Sequence, residues 1–221
     1  MKIDTILFDL DGTLLNSLDD LADSVNYALA QCGYPARTID EVRNFVGSGV
    51  ARLIALAVPE NTPPEDEAKC LAIMKQHYQN NMYNKTCPYD GIKELLTALK
   101  ARNMKLAVIS NKLDAAVKPL CRDWFGEWIE LAVGESATIG KKPSPVGVLY
   151  ALKTLQSPLA AALYVGDSEI DIQTARNACI HSVGVTWGFR SREALESEQA
   201  DFIIDAPAQL LDVIDSVSLH D

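Results

Sequence analysis

Lys2-Ile3-Asp4-Thr5-Ile6-Leu7-Phe8 runs directly into Asp9-Leu10-Asp11-Gly12-Thr13. An apolar run rich in Ile, Leu and Phe and closed by a glycine turn reads as a buried strand. Alternate side chains of a strand share a face, so Asp9 and Asp11 leave its C-terminal end on the same side. Carboxylates are rarely buried without a partner, and two so close repel unless a cation or a proton lies between them. The pair therefore calls for a metal, a shared proton, or both. Gly12 permits a sharp turn, and the Thr13 hydroxyl can lock it by hydrogen bonding. A surface Asp-Gly turn is the plain alternative, but it does not account for five specified residues after a buried strand.

The remaining composition narrows the function classes. The chain has 221 residues, 48% of them hydrophobic, enough for a large domain or a core with an inserted smaller one. No apolar stretch approaches the ~20 residues that span a bilayer. The first strand carries Asp4 and Asp9, which is unlike a signal peptide, so a cytoplasmic location is expected. Cys32, Cys70, Cys87, Cys121 and Cys179 are scattered, odd in number and without a Cys-x-x-Cys pair. They indicate reduced thiols rather than a disulfide framework or zinc site. A net charge of −10 argues against nucleic acid and against anionic membranes as partners. It still allows a small anion, provided a metal and fixed cations reverse the potential locally.

Organisation follows from the hydrophobic periods. Ser17-Leu18-Asp19-Asp20 has the form of a capping box, and the helix it opens is stopped by Gly33. Helical patterns follow at 39–46, 48–57 and 64–83, with no strand signal among them. Beyond Cys87-Pro88 the pattern alternates: helix 90–102, strand 105–109, helix 112–124, strand 129–133, helix 145–155 with Ser144 as N-cap, strand 162–165, helix 169–179, strand 181–185, strand 202–204 and helix 207–217. Alternation of this kind predicts an α/β fold, a doubly wound and mostly parallel sheet. Because the first strand must join that sheet, 16–83 is expected to be an inserted all-helical domain, and 1–15 with 84–221 the core.

In open α/β sheets ligands bind outside the carboxyl ends of the strands. Asp9-x-Asp11-Gly12-Thr13, Ser110-Asn111 and Gly166-Asp167-Ser168-Glu169-Ile170-Asp171 lie at three such ends, and Lys141-Lys142-Pro143 precedes a helix. In this order the set resembles the haloacid dehalogenase superfamily of aspartate-nucleophile phosphatases. Asp11 through Leu18, the helical insert, Gly188-Phe189-Arg190-Ser191 and Ala200 through Asp205 are similar to its phosphoglycolate-phosphatase-like branch.

The resemblance implies a Mg²⁺-dependent phosphomonoesterase acting on a small phosphorylated metabolite, with 2-phosphoglycolate favoured and the protein a monomer or homodimer. It implies Asp9 as nucleophile and Asp11 as acid and base, roles that suit carboxylates of unlike environment. The metal would take Asp9, the backbone carbonyl of Asp11 and Asp167, with Asp171 supporting the metal shell or orienting the lysine. Lys142 and Ser110 would hold the phosphoryl oxygens, while Lys141 reads as a solvated lysine. Thr13 and Asn111 are placed with the substrate-binding groups. In the family a loop of the helical cap faces the active site, which puts Arg43, Gly47 and Ser48 on the substrate side. A pyrophosphatase or nucleotidase of the same family stays open. A phosphosugar mutase is disfavoured because 16–22 contains no His. A receiver-type signalling domain, which also uses Asp, Lys and Mg²⁺, lacks a helical insert and is roughly half this length. His77, His181 and His220 are too scattered for a base or ligand set, and Trp124, Trp128 and Trp187 read as packing groups.

Overall fold

The computed structural model describes residues 2–219; His220 lies outside them. Thr5–Phe8 forms β1, in which every residue is buried. The chain then leaves through β2 (Leu15–Asn16) into the helices α1 (Leu18–Gln31), α2 (Ile39–Phe45), α3 (Val50–Ala57) and α4 (Pro64–Asn81). It returns through β3 (Cys87–Pro88), which pairs with β2. Two compact units result: Leu15–Cys87, and the remainder up to Leu14 and from Pro88 onward.

Within the helical unit, α1 buries Leu21, Val25, Ala28 and Leu29 against α4, where Cys70, Met74 and Tyr78 recur every four residues. The capping box expected at Ser17 does not form, because Ser17 makes no side-chain cap bond to α1. Asp20 is committed elsewhere: it accepts from the Lys85 and Thr86 amides at 2.9–3.1 Å and from the Thr86 hydroxyl at 2.7 Å. A capping box does form at Thr38 and Glu41, at the start of α2.

From Pro88 the chain builds α5 (Ile92–Ala101), β4 (Lys105–Leu113), α6 (Asp114–Phe125), β5 (Leu131–Glu135), α7 (Val146–Leu155), β6 (Ala162–Gly166), α8 (Glu169–Asn177), β7 (His181–Val185), α9 (Arg192–Ser197), β8 (Phe202–Ile204) and α10 (Leu210–Leu219). The sheet has the order β5-β4-β1-β6-β7-β8, with β1 paired in parallel to both β4 and β6. Its other ladders are parallel too. Leu7, Ala107, Val133 and Tyr164 pack with Val148, Ala151 and Leu152 of α7 and Ala175 of α8. On the opposite face Ile6 and Phe8 are equally buried, so β1 is covered on both sides, as continuous apolar strands in parallel sheets are.

Several boundaries differ from the sequence reading. The strand expected at 129–133 is Leu131–Glu135, the last helix starts at Leu210 and not at 207, and the inserted unit spans Leu15–Cys87 and not 16–83. Two further shifts lie beside the site. The strand expected at 105–109 continues to Leu113, and α6 starts at Asp114 instead of 112. Ser110, Asn111 and Lys112 each use their side chains on groups at this edge, and the backbone stays extended through a register shift after Ile109. At α7 the N-cap is Pro145, one residue later than expected, although the Ser144 hydroxyl still accepts from the Val146 amide.

Candidate active site

β1, β4 and β6 all end at one edge of the sheet; β1 and β6 lead to the aspartates and β4 carries Ser110, Asn111 and Lys112. Asp9 follows β1 directly; its amide donates to the Val165 carbonyl at 2.9 Å, continuing the ladder into β6. Its Oδ1 accepts from the Leu10 amide at 2.7 Å and from Lys142 Nζ at 2.8 Å. Lys142 Nζ also donates to Asp171 Oδ1 at 2.7 Å, so the ammonium is held between two carboxylates.

Each of these groups is positioned by local structure. Asp171 Oδ2 accepts from the Ser168 hydroxyl at 2.6 Å and the Ser168 amide at 3.1 Å, forming the capping box of α8. One carboxylate thus both caps a helix and orients the lysine. Asn111 grips the lysine backbone: Lys142 N donates to Oδ1 at 2.7 Å, and Nδ2 donates back to the Lys142 carbonyl at 3.2 Å. Asn111, expected on the substrate side, therefore uses its amide to place Lys142. The Lys142 ammonium also lies 5.8 Å from the Tyr164 ring centre.

Asp167 is fixed from three directions. Its Oδ1 accepts from the Thr13 hydroxyl at 3.3 Å and its Oδ2 from the Phe189 amide at 2.7 Å. Backbone without side chains closes the third: a Cβ on Gly12 (φ 87°) or on Gly188 would collide with the Asp167 carboxylate. Trp187 Nε1 donates to the Thr13 carbonyl at 3.0 Å, tying this wall to the Asp11-Gly12-Thr13 turn.

Asp9, Asp167 and Asp171 each offer an oxygen within 4.8 Å of the others, and all three are buried. Three carboxylates and the single Lys142 ammonium leave a formal charge of −2 at this spot. Burial pushes the Asp9 carboxyl up to about 7, against the pull of Lys142 and with a further push from Asp171. Burial, then Asp171 and Asp9, likewise hold Asp167 well above the usual carboxylate range. Lys142 goes the other way: burial disfavours its charge, but Asp171 and Asp9 outweigh that and raise it well above an ordinary lysine. Carboxylates that favour protons for want of countercharge, with oxygen donors in a tight set, fit a hard divalent cation.

Asp11 stands apart from that cluster. Its two oxygens accept from Lys112 Nζ at 2.7 and 2.8 Å, in a pair that is nearly buried. Ser110 is buried at the same strand end, and its hydroxyl accepts from the Lys112 amide at 3.2 Å. Lys141 pairs with Glu135 at 3.3 Å and is more than one-third exposed. Arg43, Gly47 and Ser48 belong to the helical unit. There Arg43 pairs with Asp40 at 2.7 Å, and Gly47 and Gly49 take positive φ between α2 and α3. His77 bonds Ser24 and His181 lies 3.7 Å from Asp201.

Sequence reasoning missed Lys112, Ser168 and the Gly188-Phe189 wall as parts of the site. Lys112 was signalled by its adjacency to Ser110-Asn111, and Ser168 by the Ser-x-x-Asp spacing of a capping box. The Phe189 amide carried no signal, since any residue but proline supplies one.

The haloacid dehalogenase-like hydrolase family matches residues 6–185. A phosphoglycolate phosphatase of Vibrio vulnificus is 33% identical over 220 residues, covering 96% of each chain. One from Aquifex aeolicus is 33% identical over 212 residues, with the same coverage. A crystal structure from Lactobacillus delbrueckii subsp. bulgaricus superposes with a TM-score of 0.92 at 34% identity, over 97% of this chain and 99% of that one. CbbY from Rhodobacter sphaeroides, solved in complex with phosphate, gives a TM-score of 0.76 at 25% identity over 96% and 99%. With its acidic cluster and buried lysine at the carboxyl edge of a parallel sheet, the chain belongs to the haloacid dehalogenase-like hydrolases and is a phosphatase.

Proposed function

We propose that the protein is a Mg²⁺-dependent phosphomonoesterase that passes through an aspartyl phosphate on Asp9, with 2-phosphoglycolate as its leading substrate. The observation that carries this reading is the buried Asp9 carboxylate, 2.8 Å from Lys142 Nζ and grouped within 4.8 Å of Asp167 and Asp171. An Asp9 oxygen attacks phosphorus while the bond from phosphorus to the ester oxygen breaks. Asp11 gives its proton to the departing alkoxide. Water then attacks the same phosphorus and returns a proton to Asp11, and the bond to Asp9 breaks to release phosphate. Lys142 and the Ser110 hydroxyl face the phosphoryl oxygens, and Asp171 keeps Lys142 charged and in place. Asp9, Asp167 and the Asp11 carbonyl would hold Mg²⁺, with Asp171 behind them. The ion, when bound, supplies countercharge to the phosphoryl group. Arg43, Gly47 and Ser48 are the substrate-side candidates of the helical unit, which we read as a cap.

The substrate rests on the phosphoglycolate phosphatases of Vibrio vulnificus and Aquifex aeolicus, related along nearly the whole chain. The test is hydrolysis across a panel of 2-phosphoglycolate, nucleoside monophosphates, pyrophosphate and p-nitrophenyl phosphate, with Mg²⁺ and with EDTA. The highest kcat/KM should fall on 2-phosphoglycolate, and chelation should abolish turnover of every ester. Full activity in EDTA would reject the metal, and preference for pyrophosphate or a nucleotide would reject the substrate.

A further inference from the structure

The helical unit holds a pair of thiols that the chemistry above leaves out. Asp20 accepts from the Lys85 amide and the Ser24 hydroxyl lies 3.0 Å from His77 Nδ1, so α1 and α4 run antiparallel. The His77 ring also stacks on Tyr27, with centroids 4.1 Å apart, which fixes the register. Two helical turns, about seven to eight residues, lead from Ser24 to Cys32 at the end of α1 and from His77 back to Cys70 in α4. Cys32 and Cys70 thus face each other across the helix pair, and a side-chain hydrogen bond joins their sulfurs. They differ in access. Cys70 is fully buried beside Met74, whereas Cys32 is half-buried and followed at once by Gly33, which turns the chain at φ 74°. Burial, then Cys32, push the Cys70 thiol up to about 12, so it stays protonated and inert until Cys32 changes.

We propose that Cys32 and Cys70 form a peroxide-sensitive modification site, in which Cys70 resolves oxidised Cys32 into a disulfide between α1 and α4. Cys32 gives its proton to solvent and its sulfur attacks one oxygen of hydrogen peroxide. The O–O bond breaks, hydroxide leaves and is protonated to water, and Cys32 is left as a sulfenic acid. The Cys70 sulfur then attacks the Cys32 sulfur, the S–O bond breaks, and the Cys70 proton departs with that hydroxide as a second water. Two thiols lose two electrons and one peroxide gains them. Facing residues of packed helices commonly start farther apart than a disulfide allows, and Cys32, the C-cap of α1, is at an end that can close the gap. The product ties together the two ends of 33–69, the segment that carries α2, α3, Arg43, Gly47 and Ser48.

The test is peptide mapping of the full chain, reduced, freed of reductant and exposed to hydrogen peroxide before alkylation in denaturant. Trypsin places Cys32 in a peptide of residues 3–37 and Cys70 in one of 70–75, each with no other cysteine. Most of the Cys70 peptide should appear joined to 3–37, and dithiothreitol should release it. The oxidised chain should melt at least about 5 °C above the reduced one, as a cross-link that closes a long loop does. Cys32→Ser should show neither the joined peptide nor the rise, and its Cys70 should be recovered as a free thiol, because that sulfur is fully buried. Wild-type Cys70 recovered as a free thiol, with Cys32 driven on to a sulfinic acid, would make the pair a packing contact and overturn the proposal. Cys70 joined instead to Cys87, Cys121 or Cys179 would overturn it too. If Cys32→Ser fails to fold by circular dichroism, the wild-type map and its reversal by dithiothreitol decide.

Discussion

In the proposed reaction Asp9 is the nucleophile, at a position where burial pushes its carboxyl up to about 7. Its charge depends on what countercharge arrives, and this sets two expectations. Asp9→Asn, close to isosteric with the protonated carboxyl, should fold normally and lose nearly all turnover. Beryllofluoride should seat on Asp9 in crystals of the wild type, and density on another side chain would reject the assignment. The second expectation concerns pH. Without metal, the folded chain retains protons on Asp9 and Asp167 that the unfolded chain gives up near its ordinary 3.8. The unfolded state then binds fewer protons, so stability falls as pH rises from about 4 through 7. In EDTA the melting temperature should drop between pH 5 and pH 7.5, while Lys142, raised well above an ordinary lysine, stays charged throughout. Mg²⁺ should raise the melting temperature, and by more at pH 7.5 than at pH 5, since a ligand of the native state that competes with protons binds better at high pH. A metal-induced shift that is equal at both pH values would show that these carboxyls are not the ligands.

The loops after β1 and β7 hold Asp167 between backbone segments, and that makes glycine obligatory at two separate places. Gly188→Ala should push the Asp167 carboxylate aside, because the added Cβ meets both that side chain and the Gly12 carbonyl. Metal affinity by titration calorimetry should fall at least tenfold, the size expected when a support of a metal ligand is lost. Retained affinity would show that the loop relaxes. Ser168→Ala should cost about 1 kcal/mol of stability as a lost helix cap. It should also lower kcat, since Asp171 then orients Lys142 with one restraint fewer. These elements also show what was legible in the sequence and what was not. β1 and β6 were readable because continuous apolar runs ending in glycine and aspartate have few alternatives. The end of β4 was not: Asn111-Lys112-Leu113 has neither period, and only tertiary hydrogen bonds keep it extended. Ser17 was misread for a related reason. Its spacing matches a capping box, but Asp20 finds stronger partners in the Lys85 and Thr86 segment, 65 and 66 residues away. Local pattern lost to distant donors there, whereas at Ser168 the same pattern won.

At the scale of the molecule, Leu15–Cys87 enters and leaves through two short strands that pair with each other, β2 and β3. Exchanging this unit for that of a relative should change the kcat/KM ratio between 2-phosphoglycolate and p-nitrophenyl phosphate more than tenfold while beryllofluoride still seats on Asp9. An unchanged ratio would place selection wholly in the core. The insertion was legible because one strand precedes a long helical block and its partners follow it, but the side chains that select substrate leave no such trace. The strand order has a further consequence, in the time domain of synthesis. β1 is made first, yet both its neighbours come late: β4 begins at Lys105 and β6 ends at Gly166. At about 5–20 residues per second the ribosome needs roughly 8–30 s to complete both partners. Until Leu113 is made Thr5–Phe8 is an apolar segment with neither partner strand, and until Gly166 is made one of its edges still lacks a partner, while Leu15–Cys87 already has its own helical contacts available. Nascent chains stalled before residue 162 should therefore be cut by protease near β1 and bind a chaperone there. Chains released beyond residue 185 should resist both, so the strand that leads to Asp9 precedes every other strand of the sheet in synthesis and is sheltered only when later ones arrive.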